Sequence, residues 1–280
     1  MSDVVPRPDP EAVARQPPPA EPPESGGDEE LPTMSLLEHL EELRRRLFYI
    51  LGTLLVGFCV SWAFARPIFQ FLSRPIYRYL PEGQKLVMLK VTDAFFLYLK
   101  VAFLASLFLC TPIILYHVWK FVAPGLYRKE QRWALGFIFF GSLLFLSGGA
   151  FAYYVAFPFA VEFLLGVGTE FTASITGPSY LQFLMTVMIG LALMFELPVV
   201  IFFLAQVGLV TPRFLLRHFR WAVLIIFIVA ALITPTPDVF NLMLFALPTI
   251  ALYLLGIGVA AVFGRKREEL EEPDPESAEA

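Results

Sequence analysis

The chain has 280 residues, of which 57% are hydrophobic and only 16% are charged, and its mean hydropathy is +0.67. A soluble domain carries charge on about a quarter of its residues, so this composition excludes an ordinary soluble globular protein. The charged residues cluster between long apolar runs, which predicts an all-α, polytopic integral membrane protein. The net charge of −4 indicates little, because the acidic excess lies in the two tails.

Residues 1–33 are rich in proline and acidic side chains and almost lack large apolar residues. A segment of this composition cannot bury enough apolar surface to fold, so we predict a disordered tail. The apolar run that follows the tail has 19 residues, longer than the roughly 7–15 residues of a cleavable signal core. We therefore expect this run to be a retained membrane span.

A charged segment from Ser35 to Leu47 leads into that first apolar run. Its leucines recur at helical spacing, and Ser35 with Glu38 forms a capping-box pattern that is typical of a helix start. Three consecutive arginines at 44–46 stand where the charged segment meets the apolar run. The pattern predicts one helix that enters the membrane with its basic end at the interface. The segment alone also fits a surface helix that is steadied by glutamate–arginine pairs four residues apart.

Six apolar runs follow one another, at residues 47–65, 93–119, 133–157, 181–206, 221–233 and 239–263. A helix needs about 20 residues to cross the hydrocarbon core, and the fifth run has only 13. A connection of a few residues, from Thr234 to Asp238, joins it to the sixth run, so we expect short fifth and sixth helices that form a shallow pair. The membrane domain then covers residues 34–264, and a charged tail covers 265–280.

The positions of the basic residues predict the orientation of the spans. With the N-terminus inside, the inner flanks carry thirteen lysines and arginines, and the outer loops carry five, all within residues 66–92. Because cytoplasmic loops are enriched in lysine and arginine, both termini are expected in the cytoplasm. Residues 66–92 also hold three prolines among apolar residues, which indicates short amphipathic pieces at the membrane surface.

Candidates for catalysis or metal binding are few. The three histidines are scattered along the chain, and both cysteines lie inside apolar runs. No two carboxylates share an acid–base spacing inside a span. The sequence therefore predicts no enzyme, no metal, no cofactor and no nucleic-acid partner.

Glu196 is the strongest candidate for a functional residue within the apolar runs, since it lies near the middle of the fourth run. A charged side chain at the centre of a membrane helix costs about 2.5–3.5 kcal/mol on insertion scales, and such residues are functional by default. Either Glu196 faces a cavity or a partner helix, or it is a protonated glutamate that is hydrogen-bonded within the bundle. Pro198, two residues later, predicts a kink that frees a backbone carbonyl.

Together the motifs form an ordered set that resembles the TatC family, the receptor and core component of the twin-arginine protein translocase. The resemblance extends over residues 35–263 and rests on five blocks, namely His39 to Leu47, Trp119 to Glu130, Ala152 to Pro158, Phe195 to Pro198 and Thr234 to Phe240. It implies a six-helix protein of the cell membrane, shaped like a cupped hand in the lipid bilayer, with both termini cytoplasmic and no enzymatic activity.

The resemblance also implies a function and a site. Family members bind signal peptides with two consecutive arginines on folded precursor proteins, and they recruit single-span TatA- and TatB-type partners and further TatC copies for export driven by the proton-motive force. Glu42 and Glu130 match the acids that engage the arginine pair, and four residues match positions around them, namely Arg44, Arg46, Phe121 and Pro124. Two carboxylates on one face suit two guanidinium groups, because such pairs are charge-assisted and bidentate.

Three further residues match family positions. Glu196 matches an intramembrane acid on the concave side, Asp238 an outer-turn acid near partner contacts, and Pro75 a proline of the first outer loop. The chain departs from the family pattern at Leu242, where glutamine is usual. A polar anchor for a partner helix is therefore either shifted to Asn241 or lost.

Two functions of other classes stay open at this point. A proton-coupled secondary transporter would use Glu196 as its carrier site, but transporters often show inverted repeats, and none is visible in this chain. A structural scaffold for other membrane subunits would explain the spans, but it would explain neither Glu42 nor Glu130.

Overall fold

The structure is a computed structural model, and it describes residues 36–80, 84–122, 134–168, 170, 174–234 and 238–263. These residues form helices in the order α1 (Leu36–Ala63), α2 (Ala65–Leu72), α3 (Arg74–Tyr77), α4 (Asp93–Val122), α5 (Ala134–Phe151), α6 (Phe157–Val167), α7 (Gly177–Phe195), α8 (Leu197–Gln206), α9 (Pro212–Arg217), α10 (Phe219–Ile233) and α11 (Val239–Phe263). A π-helical turn at Ala152–Ala156 joins α5 to α6. The predicted all-α class is confirmed.

Among the described helices, five stretches are long and apolar enough to cross a membrane, namely α1, α4, α5 with α6, α7 with α8, and α11. The remaining apolar helix, α10, has 15 residues and covers about 22 Å at 1.5 Å per residue, against a hydrocarbon core of about 30 Å. The fifth span is thus short, as predicted. The expectation that the sixth is also short is wrong, because α11 uses its whole apolar run and has 25 residues.

α1 and α4 pack along each other in opposite directions. Near the start of α1, His39 stacks on Phe121 at the end of α4, with ring centroids 4.4 Å apart. Near the end of α1, Trp62 meets Phe95 at the start of α4 with an edge contact at 5.7 Å. We call the end of the bundle where α1 begins the proximal end, and the end where α1 stops the distal end.

α1 is one continuous helix, so the charged segment and the first apolar run form a single element, as the sequence predicts. The predicted cap residue Ser35 lies outside the described residues. α2 and α3 at the distal end confirm the expected short helices in residues 66–92.

Two tyrosines hold α2 in place at the distal end. Tyr153 donates a hydrogen bond from its hydroxyl to the Phe71 carbonyl at 2.6 Å, and Tyr180 donates to the Leu72 carbonyl at 2.5 Å. Carbonyls in the last turn of a helix lack intrahelical donors, so these bonds satisfy groups that would otherwise need water. Both tyrosines are at most 5% exposed, and they tie α2 to the π turn and to α7.

The fourth span is broken at Glu196. α7 ends at Phe195 and α8 begins at Leu197, because Pro198 has no N–H group with which to continue the helical hydrogen bonds. A break in the helix thus stands where the sequence predicts a kink, and Glu196 lies at the junction of the two helical segments.

The close approach of α5 to α7 at Gly148 gives a stability prediction. A Cβ atom added to Gly148 would lie 2.9 Å from the Ala192 Cα and from the Leu191 carbonyl oxygen, and neither backbone atom moves easily. We expect Gly148→Ala to lower the free energy of unfolding by about 1–3 kcal/mol, the usual cost of overpacking. Gly136→Ala on the same helix is the matched control, since its Cβ meets nothing within 4 Å. Thermal unfolding in detergent measures both, and equal midpoints would contradict the prediction.

Candidate functional site

Glu42 is the central residue of the proximal end, and it is only 8% exposed. Its Oε1 atom accepts two hydrogen bonds from Arg46, at 2.8 Å from Nη2 and 3.3 Å from Nε. The Arg45 guanidinium stands 4.0 Å from the same oxygen. The other oxygen, Oε2, is buried and has no hydrogen-bond partner among the described residues. Leaving a buried acceptor unsatisfied costs about 1–3 kcal/mol or more for a charged group, so this atom favours an additional donor.

The environment of Glu42 differs from that of a residue on a solvated surface helix. His39 lies three residues earlier on the same helical face and stacks on Phe121 of α4, so Glu42 faces α4 as well. The Glu42–Arg46 pair is four residues apart, as the surface-helix interpretation predicts, but it lies at a helix–helix contact.

Two of the predicted neighbours are brought to this contact and one is not. Arg46 binds Glu42 directly. Phe121 stacks on His39, which lies one helical turn before Glu42. Arg44 is exposed, and its guanidinium lies over the Phe48 ring, 5.7 Å from the centroid. The other two predicted members, Glu130 and Pro124, lie outside the described residues.

Two histidines to which the sequence analysis assigns no role lie at the proximal end. His39 forms the stack with Phe121, and His117 stacks on Tyr49 with centroids 5.4 Å apart. The Nδ1 atom of His117 is buried without a partner in the described part of the chain. The available signal was spacing, because His39 precedes Glu42 by three residues and His117 precedes Phe121 by four, which places each pair on one helical face.

An apolar surface adjoins this site on α1. Leu40, Leu43 and Leu47 are 60%, 43% and 52% exposed, so the predicted leucine stripe is not buried within the described bundle. An apolar ligand segment or lipid chains can cover such a stripe.

Glu196 lies beside α5 and is half-buried. A Cβ atom on Gly141 would stand 3.5 Å from Glu196 Oε2, so the carboxyl group occupies the space that this glycine leaves. Glu196 Oε1 and the hydroxyl of neighbouring Ser142 are both buried without hydrogen-bond partners among the residues described. Within that part of the chain, the hydrogen bond required by the protonated-glutamate interpretation is not found.

Asp238 caps the first turn of α11. Its Oδ1 accepts a hydrogen bond from the Asn241 backbone N–H at 2.7 Å, and its Oδ2 accepts one from the Asn241 side-chain amide at 2.8 Å. Asn241 is only 1% exposed, so it does not present its amide to a partner helix at the surface. Of the two alternatives for the polar anchor, loss of the anchor agrees better with this burial than a shift to Asn241. Leu242, at the glutamine position, packs partly against the apolar core.

The cap gives a second stability prediction. We expect Asp238→Ala to lower the free energy of unfolding by about 0.5–2 kcal/mol, the usual cost of removing an N-cap side chain. Asp238→Asn is the matched variant, because it keeps an oxygen that can accept the Asn241 backbone N–H. Thermal unfolding and amide exchange in the first turn of α11 measure the loss. Equal stability of the two variants would show that the cap contributes nothing.

Pro75 is buried in the first turn of α3 at the distal end, where it lines a cavity together with Arg74 and Arg78.

The described residues contain no group of three or more His, Cys, Asp and Glu side chains that could hold a metal ion.

The fold, with five apolar stretches of membrane-spanning length among its described helices, defines a multi-span helical membrane protein. The family model for the Sec-independent protein translocase protein TatC matches residues 38–248. The chain belongs to the TatC family. It is accordingly a receptor-type subunit of a membrane protein translocase and not an enzyme.

Individual relatives agree with this assignment. The chain is 45% identical over 251 residues to the TatC protein of Koribacter versatilis strain Ellin345, covering 87% of this chain and 93% of that protein. It is 35% identical over 240 residues to TatCy of Bacillus subtilis strain 168, covering 84% and 92%. It is also similar to a crystal structure of the twin-arginine translocase receptor TatC, with a TM-score of 0.70, 32% identity, and coverage of 80% of this chain and 98% of that one.

Proposed function

We propose that this protein binds twin-arginine signal peptides of folded precursor proteins and that Glu42 receives one of the two arginines. The observation that carries the proposal is the half-satisfied carboxylate, since Oε1 is held by Arg46 and Oε2 is buried without a donor in the described part of the chain. A guanidinium offers five N–H donors in a planar fork and matches this vacant acceptor.

Arg46 has a positioning role in this proposal. By binding Oε1 with two nitrogens it fixes the carboxylate plane and leaves Oε2 for the ligand. A buried carboxylate between two guanidinium groups keeps hydrogen bonds on both oxygens, which offsets part of the cost of desolvating the charge. Glu130 is proposed as the acid for the second arginine, with Pro124 shaping the segment that carries it, by the family resemblance alone.

The exposed leucine stripe on α1 supports recognition of the apolar segment of the signal peptide. A signal peptide follows its arginine pair with an apolar segment, and Leu40, Leu43 and Leu47 lie next to Glu42 with roughly half of their surface exposed. We infer that the arginines bind at the membrane interface and that the apolar segment lies along α1.

The remaining features of the proposal concern the assembly. We place both termini in the cytoplasm, because the sequence count of thirteen basic residues on the expected inner flanks against five in the outer loops favours that orientation. TatA- and TatB-type single-span proteins and further TatC copies are the proposed partners in the cytoplasmic membrane, and the proton-motive force is the proposed energy source for export. Glu196 and Asp238 are proposed as polar residues that contact the helices of these partners.

Binding of synthetic signal peptides to the detergent-purified protein tests the proposal. We expect an Arg-Arg peptide to bind at least tenfold more tightly than a matched Lys-Lys peptide, because lysine keeps the charge but lacks the planar fork, and a lost charge-assisted hydrogen bond costs about 1.5–3 kcal/mol. Equal affinity for the two peptides would contradict the proposed site and leave the family assignment intact.

A further inference from the structure

A cavity of about 150 Å³ opens at the distal end, on the opposite side of the membrane from the proposed peptide site. Arg74, Pro75 and Arg78 line one wall, and Tyr153, Tyr154 and Pro158 line the other. We propose that this cavity binds the phosphate of an anionic ligand, such as the phosphodiester of a phospholipid headgroup.

The first wall supplies positive charge. Arg74 and Arg78 are four residues apart, one helical turn, and both are exposed. Within the described part of the chain, neither guanidinium lies within ion-pair distance of an acidic side chain. The Arg74 guanidinium lies over the Phe71 ring, 5.6 Å from the centroid, a cation–π contact that limits its motion. Two guanidiniums without acidic partners give this wall a positive potential.

The second wall is shaped by the π turn. Pro158 has no N–H, and in a regular α-helix its ring would clash with the carbonyl of Tyr154, four residues earlier. The wider π turn at Ala152–Ala156 accommodates the proline. Two successive residues of this turn, Tyr153 and Tyr154, line the cavity. π turns of this kind occur frequently at functional sites.

The two tyrosines differ in what their hydroxyls can do. Tyr153 donates to the Phe71 carbonyl at 2.6 Å, so its ring is fixed as part of the wall. Tyr154 is 67% exposed, and its hydroxyl makes no hydrogen bond with the described residues, so it can donate to a ligand. The cavity thus combines two guanidinium forks and one phenolic donor, in a space with room for more than one water.

The chemistry selects the ligand class. Guanidinium groups bind phosphate oxygens bidentately, and arginine is the preferred residue for planar recognition of phosphate. The cavity lies where α3 and the π turn meet at the end of membrane-spanning helices, a level at which tyrosine and arginine side chains commonly contact lipid headgroups. A phospholipid and a water-soluble phosphate share this chemistry, so the experiment must distinguish the two sources.

Native mass spectrometry of the detergent-purified full chain measures the affinities. The probes are phosphatidylglycerol, a diacylglycerol with the same acyl chains but no phosphate, and glycerol 3-phosphate. We expect the unaltered protein to prefer phosphatidylglycerol over the diacylglycerol. Arg74→Gln/Arg78→Gln should weaken phosphatidylglycerol binding by about tenfold or more, since two charge-assisted contacts are lost. Tyr154→Phe should give a smaller loss.

A matched control removes the same charge elsewhere. Arg66→Gln/Lys85→Gln replaces two exposed cations of the same region that do not line the cavity, and it should leave the affinity unchanged. Weakening of glycerol 3-phosphate by the cavity variant alone would support a site that accepts phosphate from either source. Equal loss in the cavity and control variants, or no loss in either, would overturn the proposal.

Folding is controlled separately. Arg74→Lys/Arg78→Lys keeps both charges and loses the guanidinium forks, so it should fold normally and bind phosphatidylglycerol several-fold more weakly. Full affinity in this variant, together with full affinity in Tyr154→Phe, would show that general charge attraction, and no shaped phosphate site, holds the lipid. Binding of a signal peptide at the proximal end should be unchanged in all of these variants.

Discussion

Replacing Glu42 by glutamine should weaken the binding of an Arg-Arg signal peptide by about tenfold or more, because a charge-assisted hydrogen bond of about 1.5–3 kcal/mol is lost. The carboxamide keeps one oxygen, but it presents an NH2 group either to Arg46 or to the incoming guanidinium, and both are donors. Export of a folded precursor that depends on this recognition should fall by a similar factor. Peptide titration against the purified variant measures the affinity, and transport into membrane vesicles measures export.

Glu41→Gln provides the matched control. Glu41 precedes Glu42 on the same helix and is exposed, so the substitution removes the same charge without altering a buried carboxylate. We expect it to change peptide affinity by less than about twofold, since exposed charges contribute only about 0–1 kcal/mol. Equal losses in the two variants would mean that the peptide responds to net charge at the interface, and the assignment of Glu42 would be wrong.

Lengthening α10 by four leucines after Ile228 should strongly reduce export while leaving signal-peptide binding intact. The insertion extends the helix from about 22 Å to about 28 Å, close to the thickness of the hydrocarbon core. A span that is too short is accommodated partly by thinning the bilayer around it, and we infer that this thinning lowers the barrier to passage. Four residues complete slightly more than one turn, so the faces of α10 keep nearly the same direction.

The control for this insertion changes composition without length. Ile225→Leu/Ile228→Leu/Val229→Leu replaces three exposed residues of α10 and should export normally. Precursor transport and peptide affinity are measured in parallel for both variants. Full export by the lengthened variant would rule out a role for the short helix, and loss of peptide binding would show that the insertion damages the proximal site.

Much of the fold could be predicted from the sequence because the membrane imposes a simple rule. A span must satisfy its own backbone hydrogen bonds and is therefore an apolar helix, so hydropathy alone located the spans and showed that the fifth is short. Pro198 likewise predicted the break at Glu196, because the missing N–H of proline disrupts a helix independently of the surrounding residues.

Features that depend on packing between helices could not be predicted in the same way. Helical spacing allows both Glu41–Arg45 and Glu42–Arg46 pairs, and only the structure shows that the second pair is formed and that Glu42 is buried in it. The burial of Asn241 depends in the same way on neighbouring elements.

The π turn before Pro158 could not be predicted from the sequence either, because a proline in an apolar run is compatible with a kink, a helix end or a widened turn. Choosing among these requires the position of α2, whose Phe71 and Leu72 carbonyls accept hydrogen bonds from Tyr153 of the π turn and Tyr180 of α7. The cavity proposed to bind phosphate is therefore visible only in the structure, although the sequence shows both of its arginines.

The most direct test of the proposed receptor site is a double-mutant cycle between Glu42 and the arginines of the signal peptide. Dissociation constants are measured for the unaltered protein and for Glu42→Gln, each with an Arg-Arg peptide and with peptides in which one arginine is replaced by glutamine. We predict a coupling energy of about 1.5–3 kcal/mol between Glu42 and one of the two arginines. Additive effects, with coupling near zero for both arginines, would contradict a direct contact and with it the proposed site.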